Sequence, residues 1–232
     1  MKYLSFTSLF LMLMHFGMAQ DKSQLQEDIA IIKKNLTESK EKMKGYEWIE
    51  TTTVFLKGEQ KSATQKKCYY GVDGKLTKVA VNAAPAAAPK TRGLKAKVVA
   101  NKKEDIQEYL QKCMALIKSY LPPDANKLQQ LFAAGKASIK VTEPGKKAKL
   151  EFPDYNLKGD VLGIDFNSEK KMLAGLSVNP YIDKADDKVD FILLYKVLPD
   201  NTQYAGETTL NATAKNIKIV ITNDGFKALA KK

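Results

Sequence analysis

The second half of the chain, from residue 136 to the end, is a succession of short alternating segments separated by turn sequences. In the clearest segment, Val189, Phe191, Leu193, Tyr195 and Val197 occupy alternate positions, which is typical of a strand with one buried face. Strands are expected at 137–142, 147–155, 161–167, 172–181, 188–198, 203–213 and 215–222. Their regular spacing predicts one large, curved antiparallel sheet.

The first half of the chain predicts one helix followed by three more strands. Residues 23–43 have the apolar spacing of an amphipathic helix. Its apolar stripe consists of Leu25, Ile29, Ile32, Leu36 and Met43. The segments 46–56, 60–72 and 76–81 then have strand composition with turn sequences between them, which indicates an antiparallel meander.

Helices and loops are expected in the middle of the chain. The Ala/Pro tract at 82–90 predicts a surface loop, and a short strand is expected at 94–99. Residues 103–134 predict a helical insertion of two helices that are separated by Pro122 and Pro123. The predicted fold class is therefore α+β, a large curved antiparallel sheet with an N-terminal helix and mid-chain helices.

The first nineteen residues have the layout of a secretory signal peptide. Lys2 precedes an apolar stretch at 4–16, and Gly17 and Ala19 frame a small-residue cleavage site. Cleavage after Ala19 leaves one expected domain at 20–232, located in the periplasm or secreted. The only histidine of the chain, His15, lies inside the peptide. The mature protein is therefore expected to lack histidine-dependent catalysis and histidine-ligated metals, and no catalytic residue, metal or cofactor is assigned.

The charge of the chain is strongly positive but comes almost entirely from lysine. The formal net charge is +12, and Arg92 is the only arginine among 38 basic residues. Specific nucleic-acid recognition relies heavily on arginine, so no specific nucleic-acid partner is expected. Solvated lysine faces explain the composition, and the alternative is a loose attraction to anionic lipid that would allow peripheral membrane contact. We expect a monomer.

Two cysteines remain after the signal peptide. Cys68 lies on a predicted strand, and Cys113 lies on the apolar stripe of the second helix. The even count and the oxidising compartment favour a disulfide between them, which would pin that helix across the sheet like a lid. The alternative is two buried free thiols.

Carboxylate pairs suited to hydrolysis are not evident. Glu47 and Glu50 have opposite parity on one strand and should point to opposite faces of the sheet. Aromatic and flexible apolar residues are better candidates for function, because they suit irregular apolar ligands. The candidate ligand-binding residues are Trp48, Tyr70, Tyr109, Leu110, Met114 and Ile117. The alternative for each is that it fills the core between sheet and helices.

The order of elements also suggests a family. A single amphipathic helix is followed by Tyr46, Trp48 and Thr51, a hairpin at 57–59, a helical insertion and a run of C-terminal strands. This layout resembles the LolA-like superfamily, which includes periplasmic lipoprotein carriers and RseB-type stress sensors. The C-terminal block at 198–226 resembles uncharacterised exported bacterial proteins.

The resemblance implies a half-barrel of about eleven strands, with the N-terminal helix and the mid-chain helices covering its concave face. Acyl chains or lipopeptides would bind under these helices. The expected function is accordingly an exported, non-enzymatic protein that binds a lipid, an acyl chain or a lipopeptide. The alternative is an envelope interaction or sensor protein with a filled core, which acts through protein partners. A hydrolase using carboxylates is a third, weaker hypothesis.

Overall fold

The computed structural model describes residues 34–81 and 94–229, together with helical positions 27 and 31. The predicted signal peptide at 1–19 and the Ala/Pro loop at 82–90 lie outside the described residues. The first part of the predicted N-terminal helix also lies largely outside them, so helix α1 is described for 34–42.

Three helices and ten strands make up the described residues. Helix α1 continues into a short 3-10 turn at Met43–Gly45, α2 spans Leu94–Lys118, and α3 spans Ala125–Ala133. The strands are β1 (Tyr46–Leu56), β2 (Glu59–Tyr70), β3 (Leu76–Ala80), β4 (Ser138–Glu143), β5 (Lys147–Pro153), β6 (Val161–Asn167), β7 (Met172–Val178), β8 (Val189–Val197), β9 (Gln203–Ala212) and β10 (Ile217–Ala228). The predicted α+β class is confirmed.

All ten strands belong to one antiparallel sheet that does not close on itself. The strand order is β3-β2-β1-β10-β9-β8-β7-β6-β5-β4, so β3 and β4 are its edges. Eight of the nine strand pairings join strands that are consecutive in the chain, and the ninth, of β1 with β10, joins the two halves of the chain. Register shifts occur in the pairings of β1 with β10, β4 with β5, β6 with β7 and β8 with β9. They mark bulges, which bend and twist strands locally.

The alternation in the sequence places one face of the sheet against the helices. In β5, Ala148, Leu150 and Phe152 are buried, whereas Lys147 and Pro153 are exposed. The main hydrophobic cluster packs Tyr109, Cys113 and Ile117 of α2, and Tyr120 just after its end, against strands β5 to β10. We refer to the face that carries this cluster as the covered face.

A buried carboxylate fixes the corner between α2 and α3. Asp160 is fully buried and accepts hydrogen bonds from the Tyr120 hydroxyl and from the backbone N–H groups of Tyr155, Asn156 and Leu157. These donors satisfy a charge that would otherwise be costly to bury. The loop at 154–160 therefore anchors the end of α2 to the sheet.

The expected short strand at 94–99 is wrong, since α2 begins at Leu94. Val98 and Val99 favour strands, but the surrounding lysine and alanine residues are good helix formers. These residues are also continuous with the amphipathic pattern of the helix that follows. Two β-branched residues therefore do not form a strand when helix-forming residues surround them.

Candidate ligand-binding cleft

A cleft of about 540 Å³ lies between α1 and the covered face of the sheet. Strands β1, β2, β9 and β10 supply its floor, and the connection between α2 and α3 contributes Pro122. Most of its lining side chains are apolar or aromatic. The lining consists of Leu36, Thr37, Lys40, Met43, Trp48, Glu50, Tyr70, Leu76, Pro122, Tyr195, Gln203, Tyr204, Ala205, Asn223 and Phe226.

Four aromatic side chains form one continuous wall of the cleft. Phe226 is stacked on Trp48, with ring centroids 5.7 Å apart and an angle of 15° between the planes. Tyr70 lies on the other side of Trp48 at 5.9 Å, and Tyr204 lies 4.3 Å from Phe226. These distances are those of interacting aromatic pairs, which gain about 1 kcal/mol each beyond the burial of their area. The four rings therefore form one continuous aromatic surface in the cleft.

The polar end of Trp48 is bound within the protein. Its indole Nε1 donates to Oδ1 of Asn223 at 2.9 Å, and Nδ2 of Asn223 donates to the carbonyl of Ala205 at 2.8 Å. The amide of Asn223 thus links β1 to β9 across β10. Because the indole N–H is already satisfied, the ring presents only its apolar surface to the cleft.

A bulge in β10 brings Phe226 to Trp48. Gly225 has φ of +62°, a conformation that glycine adopts without the steric cost of a side chain. The pairing of β1 with β10 shifts register at this point, from Ile49 opposite Asp224 to Glu47 opposite Lys227. Such a bulge redirects the side chains that follow it.

The one carboxylate in the lining is paired. Glu50 is 12% exposed and forms an ion pair with Lys78 of the edge strand β3. Lys66 lies opposite Glu50 in the register of β1 and β2. Glu47 instead pairs with Lys67. The two glutamates bind different lysines, in agreement with their predicted opposite parity.

Hydrogen bonds from two turns hold α1 over the cleft. The hydroxyl of Ser39 accepts from the backbone N–H of Gln203 at 2.9 Å, and Asn35 donates to the carbonyl of Lys171 at 2.8 Å. After the helix, the Tyr46 hydroxyl donates to Asp200 at 2.9 Å. Gln203 is 4% exposed, and its Oε1 is buried without a hydrogen-bond partner. A cleft-lining side chain therefore carries one unsatisfied acceptor.

Burial raises the pKa values of two tyrosines that line the cleft, Tyr204 and Tyr195. The pKa of Tyr204 is raised mainly by burial and secondly by the charge of Asp224, and the pKa of Tyr195 is raised by burial alone. Both hydroxyls therefore stay neutral under ordinary conditions.

Only two of the six predicted ligand-binding residues line this cleft. Trp48 and Tyr70 do. Tyr109 and Ile117 are buried in the main cluster, and Leu110 packs against it. Met114 is 45% exposed on the outer side of α2. The buried residues of α2 therefore contribute to the main hydrophobic cluster.

Cys68 and Cys113 do not form the predicted disulfide in the structure. Both are buried free thiols. Cys68 packs with Met43 and Trp48, whereas Cys113 belongs to the main cluster. Cys113 is close to Tyr109, whose hydroxyl donates to Asp187. The two thiols therefore have different neighbours, and α2 is held to the sheet by packing and not by a covalent bridge.

Several lining residues were not predicted as part of a site. Met43 and Leu36 were on the predicted apolar stripe, and Tyr195 was on a predicted alternating face, so their burial was indicated but not their common location. Phe226 had no such signal, since it follows an Asn-Asp-Gly sequence that resembles a turn. The structure uses this sequence as a bulge inside β10.

Two further findings concern the described residues. None of the helices there has the length and apolar character required to cross a bilayer. That part of the chain also contains no group of three or more His, Cys, Asp or Glu side chains placed to hold a metal ion.

Comparisons with known proteins give one structural similarity. No family model matches the sequence, and no curated protein matches it. The chain is similar to the crystal structure of a DUF1329 family protein from Desulfovibrio piger, with 8% sequence identity and a TM-score of 0.37. The alignment covers 91% of this chain and 94% of that chain. We assign no role to any residue of the cleft on the basis of this similarity.

Proposed function

We propose that this protein is an exported, non-enzymatic binding protein that holds an apolar or amphiphilic ligand in the cleft under α1. The ligand is a lipid, an acyl chain or a lipopeptide. The observation that supports this most directly is the aromatic wall of Trp48, Phe226, Tyr70 and Tyr204, whose only indole N–H is already satisfied inside the protein. The proposal includes a relationship to the LolA-like carriers.

The size of the cleft agrees with such a ligand. Its volume of about 540 Å³ lies within the usual range of small-molecule sites, which are mostly apolar with a few polar groups. Burial of a twelve-carbon chain offers on the order of 10 kcal/mol before the costs of ordering are subtracted. A net binding free energy that is only part of this gross value is enough for micromolar affinity.

The proposed entrance differs from the one expected from the sequence. The residues of α2 fill the main cluster, and no disulfide ties α2 to β2. Instead, Leu36, Lys40 and Met43 of α1 and its 3-10 turn border the cleft. Movement of α1 is therefore the step that admits a ligand in this proposal.

The first experiment uses Trp48 as the reporter, because it is the only tryptophan in the chain. The purified protein is extracted with organic solvent, the extract is identified by mass spectrometry, and the delipidated protein is titrated with dodecanol and lysophosphatidylcholine. A bound lipid in the extract, or a saturable change in Trp48 emission, is expected. Neither a bound lipid nor a response to either probe would favour an adaptor with a filled core.

A cleft-filling variant tests whether binding occurs at this place. Ala205→Phe adds a ring inside the cleft, and Ile192→Phe adds the same ring at an exposed position that does not line it. We expect Ala205→Phe to weaken probe binding at least about tenfold, the equivalent of about 1.4 kcal/mol. Ile192→Phe should bind as the parent does, and equal binding by both variants contradicts the assignment of the site.

A further inference from the structure

The cleft-facing side of α1 carries a lysine where its helical spacing calls for an apolar residue. Leu36, Lys40 and Met43 follow at intervals of four and three residues, and all three line the cleft. Lys40 is exposed, and a lysine at such a position can lay its apolar stem along the lining while its ammonium group stays in water. The cleft therefore has a cation at its border with solvent.

This cation has no carboxylate partner among the described residues. Lys34 pairs with Glu38 on the same helix, and Lys44 of the following 3-10 turn pairs with Glu41, but Lys40 forms no such contact with a described residue. The only acidic residue of the lining is Glu50, which is already paired with Lys78. Lys40 also lies near the C-terminal end of α1, where a positive charge is favourable.

The charges of the lining leave one cation uncompensated. Lys40 and Glu50 are the charged side chains of the lining, and Glu50 is already paired with Lys78, so Lys40 is the charge that remains without a partner among the described residues. The chain as a whole has a formal net charge of +12. Such a field attracts anionic ligands and disfavours cationic ones.

We infer that the cleft selects single-chain amphiphiles with an anionic oxyanion head group, which Lys40 binds at the border of the cleft while the alkyl chain lies along the aromatic wall. This inference rests on the proposed function. The head group is a carboxylate, as in a fatty acid, or a phosphate monoester. The ammonium group of Lys40 supplies up to three hydrogen-bond donors to it.

The test compares two charged head groups with an uncharged one in matched variants. Trp48 emission is titrated with dodecanoate, dodecyl phosphate and dodecanol, below the concentrations at which they form micelles. The variants are Lys40→Met and Lys40→Arg, with Lys34→Met as the control that removes one charge from the same helix outside the cleft. We expect Lys40→Met to weaken the two anions about fivefold and to leave dodecanol within about twofold of the parent.

Further outcomes separate this inference from the proposed function. Lys40→Arg should retain anion binding, Lys34→Met should bind all three probes as the parent does, and raised salt should reduce the effect of Lys40→Met. The anion that loses more affinity identifies the preferred head group. If Lys40→Met binds dodecanoate and dodecyl phosphate as the parent does while dodecanol still binds, the head-group inference is overturned and the proposed function stands. If no probe binds to the parent, the proposed function fails.

Discussion

Trp48 shows how one side chain combines two roles at the level of single residues. Its ring lies between Phe226 and Tyr70, and its N–H donates to Asn223. The first set of contacts makes the cleft wall apolar, and the second fixes the orientation of the ring. A tryptophan without a partner for its N–H would leave a buried donor unsatisfied, which costs about 1–3 kcal/mol.

Replacing Asn223 should loosen this arrangement. Asn223→Leu removes the acceptor of the Trp48 N–H and the donor to the Ala205 carbonyl. We expect a loss of roughly 2 kcal/mol in the free energy of unfolding, measured by urea titration with circular dichroism. In a Trp48→Phe background the same substitution should cost less, because the indole donor is already gone. Equal costs in both backgrounds would show that the two residues are not coupled.

At the level of elements, β10 decides where the cleft lies. The strand continues past the Asn-Asp-Gly sequence to Ala228, and its bulge at Gly225 directs Phe226 towards Trp48. The open space around Gly225 shows that the requirement is one of backbone conformation. A Cβ at this position would have only Ile49 Cγ1 within 4 Å, at an ordinary contact distance of 3.6 Å.

Gly225→Ala should therefore act through the backbone. A side chain at positive φ costs about 1–2 kcal/mol, and relaxation of the bulge should displace Phe226 from Trp48. We expect a comparable loss of stability together with a red shift of Trp48 emission.

The matched control is Gly145→Ala in the turn between β4 and β5. Gly145 also has positive φ, of +71°, and a Cβ there meets nothing within 4 Å. It should lose similar stability without a change in Trp48 emission. A shift of the emission in both variants, or in neither, argues against a specific role of the β10 bulge.

At the level of the whole molecule, packing replaces covalent cross-linking. The main cluster joins α2 to strands β5 to β10, and a second cluster around Trp48 joins β1, β2 and the end of α1. Both cysteines are buried in these clusters as thiols. Burial raises the pKa of each thiol, which lowers the fraction of reactive thiolate.

The free thiols lead to a prediction about reductants. The melting temperature should be the same with and without dithiothreitol, since no bond is available to be reduced. Iodoacetamide should modify neither cysteine in the native protein and both in urea. A fall in melting temperature on reduction would point to the disulfide that the sequence favoured, because removal of such a bond usually costs 2–5 kcal/mol.

Burial of Cys113 also predicts a loss of stability at alkaline pH. Burial, with a smaller contribution from the charge of Asp187, raises the pKa of Cys113 from 9.0 to about 11. A raised pKa in the folded state gives stability that is complete below pH 9 and is lost as the pH rises towards 11. The pKa values of Tyr109 and Tyr120 are also raised, mainly by burial, and add to the loss above pH 10.

The contribution of the thiol can be separated from that of the tyrosines. Urea unfolding between pH 8 and pH 11 should show a falling free energy in the parent protein. Cys113→Ala should be less stable at pH 8 and should show a smaller slope between pH 9 and 10, where the tyrosines contribute little. Identical slopes for both proteins would contradict the assignment to Cys113.

The sequence determined the elements and the composition of their faces. Alternation in segments such as 188–198 predicted strands of a large curved antiparallel sheet, and helical spacing predicted α1, α2 and α3. These patterns are local, because the burial of one face imposes period two on a strand and period 3.6 on a helix. The same patterns indicated that Trp48, Tyr70 and Ile117 would be shielded from solvent.

Only the tertiary structure decided which of these side chains meet. Phe226 reaches Trp48 because β10 pairs with β1 from the other end of the chain, and no local pattern specifies such a long-range pairing. The same arrangement assigned the border of the cleft to α1 and the filling of the core to α2, and it separated Cys68 from Cys113. Whether a residue is buried follows from the periodicity of its own segment. Which residues it contacts follows from the order of the strands in the sheet.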